Sequence, residues 1–205
     1  MGSHRRLLAD KEGRLVLTGR HPQRGVTLIE TMIGLAIVGM VLAFGVPSFG
    51  IFIQNSQIRN AAEAIQNGLN LARAEAVRRN TSVQFVLGTR SSWTVGCTTS
   101  VADLDGDGVA DCPGTIQARA NTEGSANALV ATTPTSAATL HFNGLGRILS
   151  TDLAAGSSAV FNISNSTGGS CATAGPMHCL RIVVTSAGQV RMCDPALAST
   201  DTQGC

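Results

Sequence analysis

From Val26 to Ile53 the chain is almost wholly apolar, and a single carboxylate, Glu30, stands near the start of the run. That pattern predicts a helix apolar on every side, with more than the roughly 20 residues needed to cross a bilayer. Gly34, Gly39, Gly45, Pro47 and Gly50 interrupt it; small residues permit close helix packing, and a proline weakens the helix at one place. From residue 54 polar groups return at helical spacing. Ile58 to Ile65, continuing through Leu69, Leu71, Ala72, Ala76 and Val77, make an amphipathic stripe with small residues on its inner side. This half is expected to end near Asn80 and to lie against a globular domain.

Beyond Asn80 the pattern shortens to β-prone runs divided by Gly, Ser, Thr and Asn. The expected strands are Ser82–Leu87, Ser91–Val95, Ala128–Thr132, Thr139–Phe142, Gly146–Leu149, Ala159–Ser164, Leu180–Thr185 and Gln189–Met192. The fold class is therefore α+β: a long N-terminal helix, transmembrane then amphipathic, packed on a C-terminal antiparallel sheet or sandwich. The expected boundaries are 1–25 for a leader, 26–53 for the apolar helix, 54–80 for its amphipathic continuation and 81–205 for a β-rich domain.

Charge divides the chain at the same places. Residues 1–25 carry six basic and two acidic side chains, +4, whereas the remainder carries nine arginines, no lysine and eleven acids, −2. No basic patch is evident from such counts, which argues against strong nucleic-acid binding. All six cysteines follow the apolar helix, as expected of disulfides in an oxidising compartment. Six cysteines allow fifteen connectivities; pairing neighbours along the chain gives Cys97–Cys112, Cys171–Cys179 and Cys193–Cys205. A zinc site is the rival reading, but there is no CxxC and the spacings suit zinc poorly.

An ordinary signal peptide does not fit the N-terminus, because the apolar core is too long and the small residue, Gly25, precedes it. A plain signal anchor would use the basic flank of Arg20, His21 and Arg24 but leaves Glu30 unexplained. A charged side chain at the centre of a bilayer costs about 2.5–3.5 kcal/mol, less near its ends, so a carboxylate kept there needs a partner. Gly25 followed by Val26-Thr27-Leu28-Ile29-Glu30 and a long apolar helix closely resembles the class III signal of type IV prepilins and type II secretion pseudopilins. The helix leading into Arg78-Arg79-Asn80, the Trp93 strand with its acidic loop, and the Phe142-Asn143-Gly144 turn most resemble the GspH/FimT group of minor pilins.

The resemblance implies a pilin-like fold and a life history. Prepilin peptidase would cut after Gly25 and N-methylate Val26, a departure from the usual Phe or Met. Glu30, then the fifth mature residue, would pair with the Val26 amine of a neighbouring subunit, and Pro47 would mark where the helix loosens on packing. The implied partners are prepilin peptidase, other major and minor pilins or pseudopilins, the inner-membrane assembly platform and the lipid of the inner membrane. The implied location is a single-pass inner-membrane protein with a periplasmic C-terminal domain, later part of a pilus or pseudopilus. A type IV pilus is the first assignment and type II secretion an alternative. The Cys193 to Cys205 segment resembles the terminal disulfide loop of type IV pilins.

Three further patterns bear on chemistry. Asp103, Asp105, Asp107 and Asp111, with Gly108, match the front half of a calcium loop, but position 12 is Gly114 in place of a bidentate Glu. The same residues also read as an Asp/Gly-rich hairpin turn, so calcium is the one cofactor that comes into question. A DNA-uptake branch of the resembled family uses a Gly-Arg-x-Arg motif. Here Gly188-Gln189-Val190-Arg191 lacks the first arginine and Gly146-Arg147 lacks the second, leaving Arg147 and Arg191 as the DNA candidates. Arg78, Arg79, Arg90 and Arg181 are the arginines that could join them. Catalysis has no support: His141, expected to face water from a strand, and His178 stand beside no nucleophile, and no GxSxG is present. The chain reads as a non-enzyme.

Overall fold

The computed structural model describes residues 25–103, 111–167, 169, 171 and 175–205. Among these residues are one long helix, α1 (Leu28–Arg79), and eight strands: β1 (Val83–Leu87), β2 (Trp93–Cys97), β3 (Gln117–Arg119), β4 (Ala128–Thr133), β5 (Thr139–Phe142), β6 (Ser158–Asn165), β7 (Leu180–Thr185) and β8 (Val190–Cys193). The chain divides into two units, 1–44 and 45–205.

In the first unit the described apolar side chains stand exposed, among them Leu28, Leu35, Met40 and Phe44. In the second unit the helix buries a stripe of Ile58, Ala61, Ala62, Ile65, Leu69, Ala72 and Ala76, spaced three or four residues apart as one helical face requires. Its alanines let the backbone approach the sheets closely. The helix stops at Asn80, which takes the left-handed conformation (φ 47°), and the Thr81 N–H returns to the Ala76 carbonyl at 3.2 Å. This is the Schellman end that an asparagine can supply where glycine is more usual.

Two four-stranded antiparallel sheets follow, ordered β3-β2-β1-β5 and β4-β6-β7-β8. The register places Phe85 opposite Val95 and Leu140 in the first sheet, and Phe161 opposite Ile182 in the second. Alternate residues face one core of Val83, Phe85, Trp93, Val95, Leu140 and Phe142 with Phe161, Ile163, Ile182 and Val184. An edge-on contact of Phe85 with Phe161, centroids 6.1 Å apart, ties the two sheets together.

Three expectations are corrected. Residues 146–149 form no strand but a loop that meets β5 through one bridge, Phe142 with Ile148, because the Asn143-Gly144 turn folds the chain back on itself. The second strand lies two residues later than Ser91–Val95. β3 was not foreseen at all: its three residues show no apolar alternation and owe their conformation to pairing with Trp93–Val95.

Candidate functional site

Local chemistry shapes the start of α1. The Thr27 hydroxyl accepts the Glu30 backbone N–H at 3.3 Å, and the Thr27 carbonyl accepts the Thr31 N–H at 3.2 Å. Thr27 is therefore the N-cap and Glu30 the third helical residue, the Thr-x-x-Glu spacing of a capping box. A carboxylate in a first helical turn also faces the positive end of the helix dipole. The Glu30 side chain is exposed and makes no hydrogen bond or ion pair among the described residues. Gly25 has open space around it and Val26 is 74% exposed. Helix α1 is long and apolar enough to cross a membrane by length and composition, and Pro47 lies within it.

The domain's other candidates fall into three places. The cysteines join as Cys97–Cys112, Cys171–Cys179 and Cys193–Cys205, with Cα separations of 5.7, 5.5 and 5.2 Å. Of the calcium candidates, Asp105 and Asp107 lie outside the described residues. Asp103 and Asp111 stand at the two ends of that segment, and the Arg79 guanidinium donates to the Asp111 carbonyl. Among the described residues no cluster of three or more His, Cys, Asp or Glu could hold a metal ion.

The two DNA candidates come from segments in contact. Gly188, in the β7–β8 turn, lies so close to the Gly146 carbonyl that a side chain would collide with it, and a Cβ there would be 3.5 Å from the Arg147 Cα. Asn143 builds the neighbouring loop: its Oδ1 accepts the backbone N–H groups of Leu145 (3.0 Å) and Arg147 (3.1 Å). Arg73 of α1, missed by the sequence reading, packs against Gly146; only the fold could reveal it. Arg147 and Arg191 are exposed and have no side-chain partner among the described residues. By contrast Arg78 and Arg79 hold Glu75 at 2.7 and 2.8 Å, Arg90 donates to the Ala126 carbonyl, and Arg181 donates to Asn162 Oδ1 at 2.9 Å. Those four serve the fold.

His141 differs from expectation. It alternates with Leu140 and Phe142, but its Nδ1 lies 2.8 Å from Asp152 Oδ2, and the same oxygen accepts the His141 backbone N–H at 2.7 Å. The loop carrying Asp152 folds over β5, an edge strand, and shields it. His178 offers its backbone N–H to Asn55 Oδ1 at 2.9 Å. Among the described residues neither histidine side chain is hydrogen-bonded to a serine, threonine or cysteine.

Comparison with known proteins agrees with this architecture. The family model for type II transport protein GspH matches residues 61–195, and that for the prokaryotic N-terminal methylation motif matches residues 20–46. No curated protein is matched by sequence. Among solved structures the chain is similar to the type IV minor pilin FimU of Pseudomonas aeruginosa, at 16% identity and a TM-score of 0.50, covering 73% of this chain and 98% of that one. The minor pseudopilin EpsH of the Vibrio cholerae type 2 secretion system follows at 13% identity and a TM-score of 0.41, covering 68% of this chain and 98% of that one. The FimU likeness supports the same long helix followed by two antiparallel sheets. The chain belongs to the GspH family of type II transport proteins and carries the prokaryotic N-terminal methylation motif.

Proposed function

We propose that this chain is a prepilin-like minor subunit, cut after Gly25, N-methylated on Val26, and assembled into or priming a type IV pilus filament. In this reading residues 26–53 hold it in the inner membrane and residues 81–205 stand in the periplasm. The observation that carries the proposal is the exposed, unpartnered Glu30 at the head of an exposed apolar helix. Such a surface needs lipid or other helices around it, and the carboxylate needs a cation. Cleavage after Gly25 creates one, the amine of Val26. Glu30 of one subunit taking that amine from the next removes an unpaired charge from lipid and fixes the axial register. Pro47, lacking an N–H for the helical ladder, gives the helix a place to yield as subunits pack.

Replacing Glu30 with alanine should leave processing intact, seen as the mature mass, while incorporation into filaments falls sharply. Normal incorporation would sink this role for Glu30. A bulky residue at Gly25 should leave the uncut mass. Assembly in a type II secretion pseudopilus is the alternative, and recovery of secretion components with the crosslinked chain would favour it.

A DNA-uptake role is a second reading, favoured by the contact between the Gly146–Arg147 and Gly188–Arg191 segments and by their unpaired arginines. A salt-sensitive DNA mobility shift weakened by Arg147→Ala and Arg191→Ala would support it. No shift at low salt would end it.

A further inference from the structure

The apolar run ends at Ile53, and within the second unit its last aromatic residues stand in the open. Phe49 and Phe52 are exposed, with ring centroids 6.5 Å apart. One turn further on, Asn55 fastens a distant loop to the helix. Its Nδ2 donates to the Pro176 carbonyl at 3.0 Å, and its Oδ1 accepts the His178 backbone N–H at 2.9 Å. A carboxamide that gives one bond and takes one holds a backbone as another peptide group would. Between the two contacts Met177 is buried, and next to them Cys179 closes its disulfide with Cys171. Pro176 and His178 are exposed on a turn that is fixed on both sides.

Phe52, Asn55 and Arg59 are spaced three and four residues apart and so share a helix face. Arg59 is exposed; its Nε meets Glu63 Oε1 at 3.0 Å, and its two Nη atoms donate to no group among the described residues. Leading away from the apolar run, this face passes from aromatic ring to carboxamide to guanidinium. A bilayer presents the matching order from its core outward: hydrocarbon, an interface that favours aromatic rings, then anionic headgroups that attract arginine. At 1.5 Å per residue Asn55 stands about 5 Å and Arg59 about 10 Å beyond Phe52. The headgroup layer on one side of a bilayer is about 5–8 Å deep. With Phe52 at the edge of the hydrocarbon, Asn55 and the turn it holds lie among the headgroups, and Arg59 lies at their outer surface. The gradient continues without a break from a helix long and apolar enough to span a membrane, which favours lipid over a protein neighbour here.

We propose that the Pro176–His178 turn, clamped by Asn55, rests on phospholipid headgroups and, with Arg59, binds their phosphates, seating the domain against the membrane. The His178 imidazole offers a hydrogen-bond donor to a phosphate oxygen, and the Arg59 Nη atoms offer a charged one. This role rests on the inner-membrane reading and not on entry into a filament.

The full-length protein, with photoreactive p-benzoylphenylalanine in place of Pro176, is reconstituted into vesicles of phosphatidylcholine alone or mixed with phosphatidylglycerol. Only the carbonyl of Pro176 takes part in the clamp, so the label preserves it. Flotation after an alkaline wash tests the anchoring: protein left behind overturns the inner-membrane reading, and this seat with it. Floated protein should yield lipid adducts on irradiation, identified by mass. The same label in place of the exposed Leu145 is the control. Its neighbour Gly146 packs on Val77, about 33 Å along the helix from Asn55, so it should yield no lipid adduct. Asn55→Ala frees the turn and should lower the adduct yield at least threefold. One basic group near an anionic surface predicts a preference of about fivefold for phosphatidylglycerol, and Arg59→Gln should remove most of it. With anchoring intact, the proposal is overturned if the label captures no lipid or captures a second copy of the chain in its place. It is equally overturned if Asn55→Ala captures lipid as well as the parent, or if Arg59→Gln keeps the full preference.

Discussion

Gly68 of α1 and Trp93 of β2 meet where one of them has no side chain: a Cβ on Gly68 would lie 3.0 Å from both Cδ2 and Cε2 of the indole, and 2.9 Å from Cε2 of Phe85. The helix thus reaches the first sheet at two of its aromatic rings, themselves in contact with centroids 6.0 Å apart. Gly68→Ala would gain about 1 kcal/mol in helix propensity, but two buried rings would have to move, and overpacking typically costs about 1–3 kcal/mol. The expected net effect is destabilisation by about 1 kcal/mol, with a much larger loss for Gly68→Leu. Thermal unfolding of the two variants, with Trp93 emission as the probe, checks the order.

Asp152 caps an edge. Its Oδ2 takes the outward N–H of His141 and faces the imidazole Nδ1, while the Leu149 N–H donates to the His141 carbonyl at 2.9 Å. Together they close the free side of β5 against pairing with another chain. Asp152→Ala leaves a part-buried N–H without its acceptor and should cost about 1–3 kcal/mol. Asp152→Asn, which keeps an acceptor oxygen, should cost less. Denaturant midpoints compared across the parent and both variants give the measurement; equal losses would show that the backbone hydrogen bond is not the reason.

Much of this fold is written in the sequence, and the exceptions share a cause. The expected Thr139–Phe142 coincides with β5, because Leu140 and Phe142 alternate cleanly with polar residues. The helix is signalled by an apolar run and then by a three-and-four repeat, and Asn80 stops it close to where the repeat fades. β3 carries no signal, since Gln117, Ala118 and Arg119 are strand only because Trp93 to Val95 lie beside them. The arginines show it again. Of the six arginines that the sequence offers as DNA candidates, Arg78, Arg79, Arg90 and Arg181 bond to their surroundings in the fold, and Arg147 and Arg191 have no side-chain partner among the described residues.

The 97–112 disulfide and the Arg79 guanidinium both act on one loop. Cys97 ends β2, Cys112 pairs through its backbone with Val101 (2.9 Å and 3.2 Å), and Arg79 binds the carbonyl of Asp111. Replacing both cysteines with serine frees a loop of 15 residues' separation, for which chain entropy predicts a loss of about 3 kcal/mol. Arg79→Gln in the same background should then cost less than it does in the disulfide-bonded protein, because a loop already loose has less order to lose. A double-mutant cycle on unfolding free energies measures that coupling.

Glu75 makes the stability of the helix end sensitive to acid. The hydrogen bond from Arg78 holds its carboxyl below the ordinary value of 4.5; burial opposes this shift, and Arg79 adds to it. Glu75 and Arg79 are 15% and 17% exposed, so their pair is sheltered from solvent in a way that the Arg59–Glu63 pair, at 76% and 52%, is not. A group whose pKa is lower folded than unfolded contributes stability in full above its unfolded pKa and loses it as pH falls through the folded one. The Glu75 contribution should therefore be constant at neutral pH and disappear below about 4.5, the ordinary value from which the shift is measured. Glu75→Gln should lower the melting temperature at neutral pH, and the gap to the parent should close as the medium is acidified through that range. Glu63→Gln serves as the control: an exposed pair of this kind contributes about 0–1 kcal/mol, so its smaller gap should also shrink when salt is raised at neutral pH, whereas the Glu75 gap should persist.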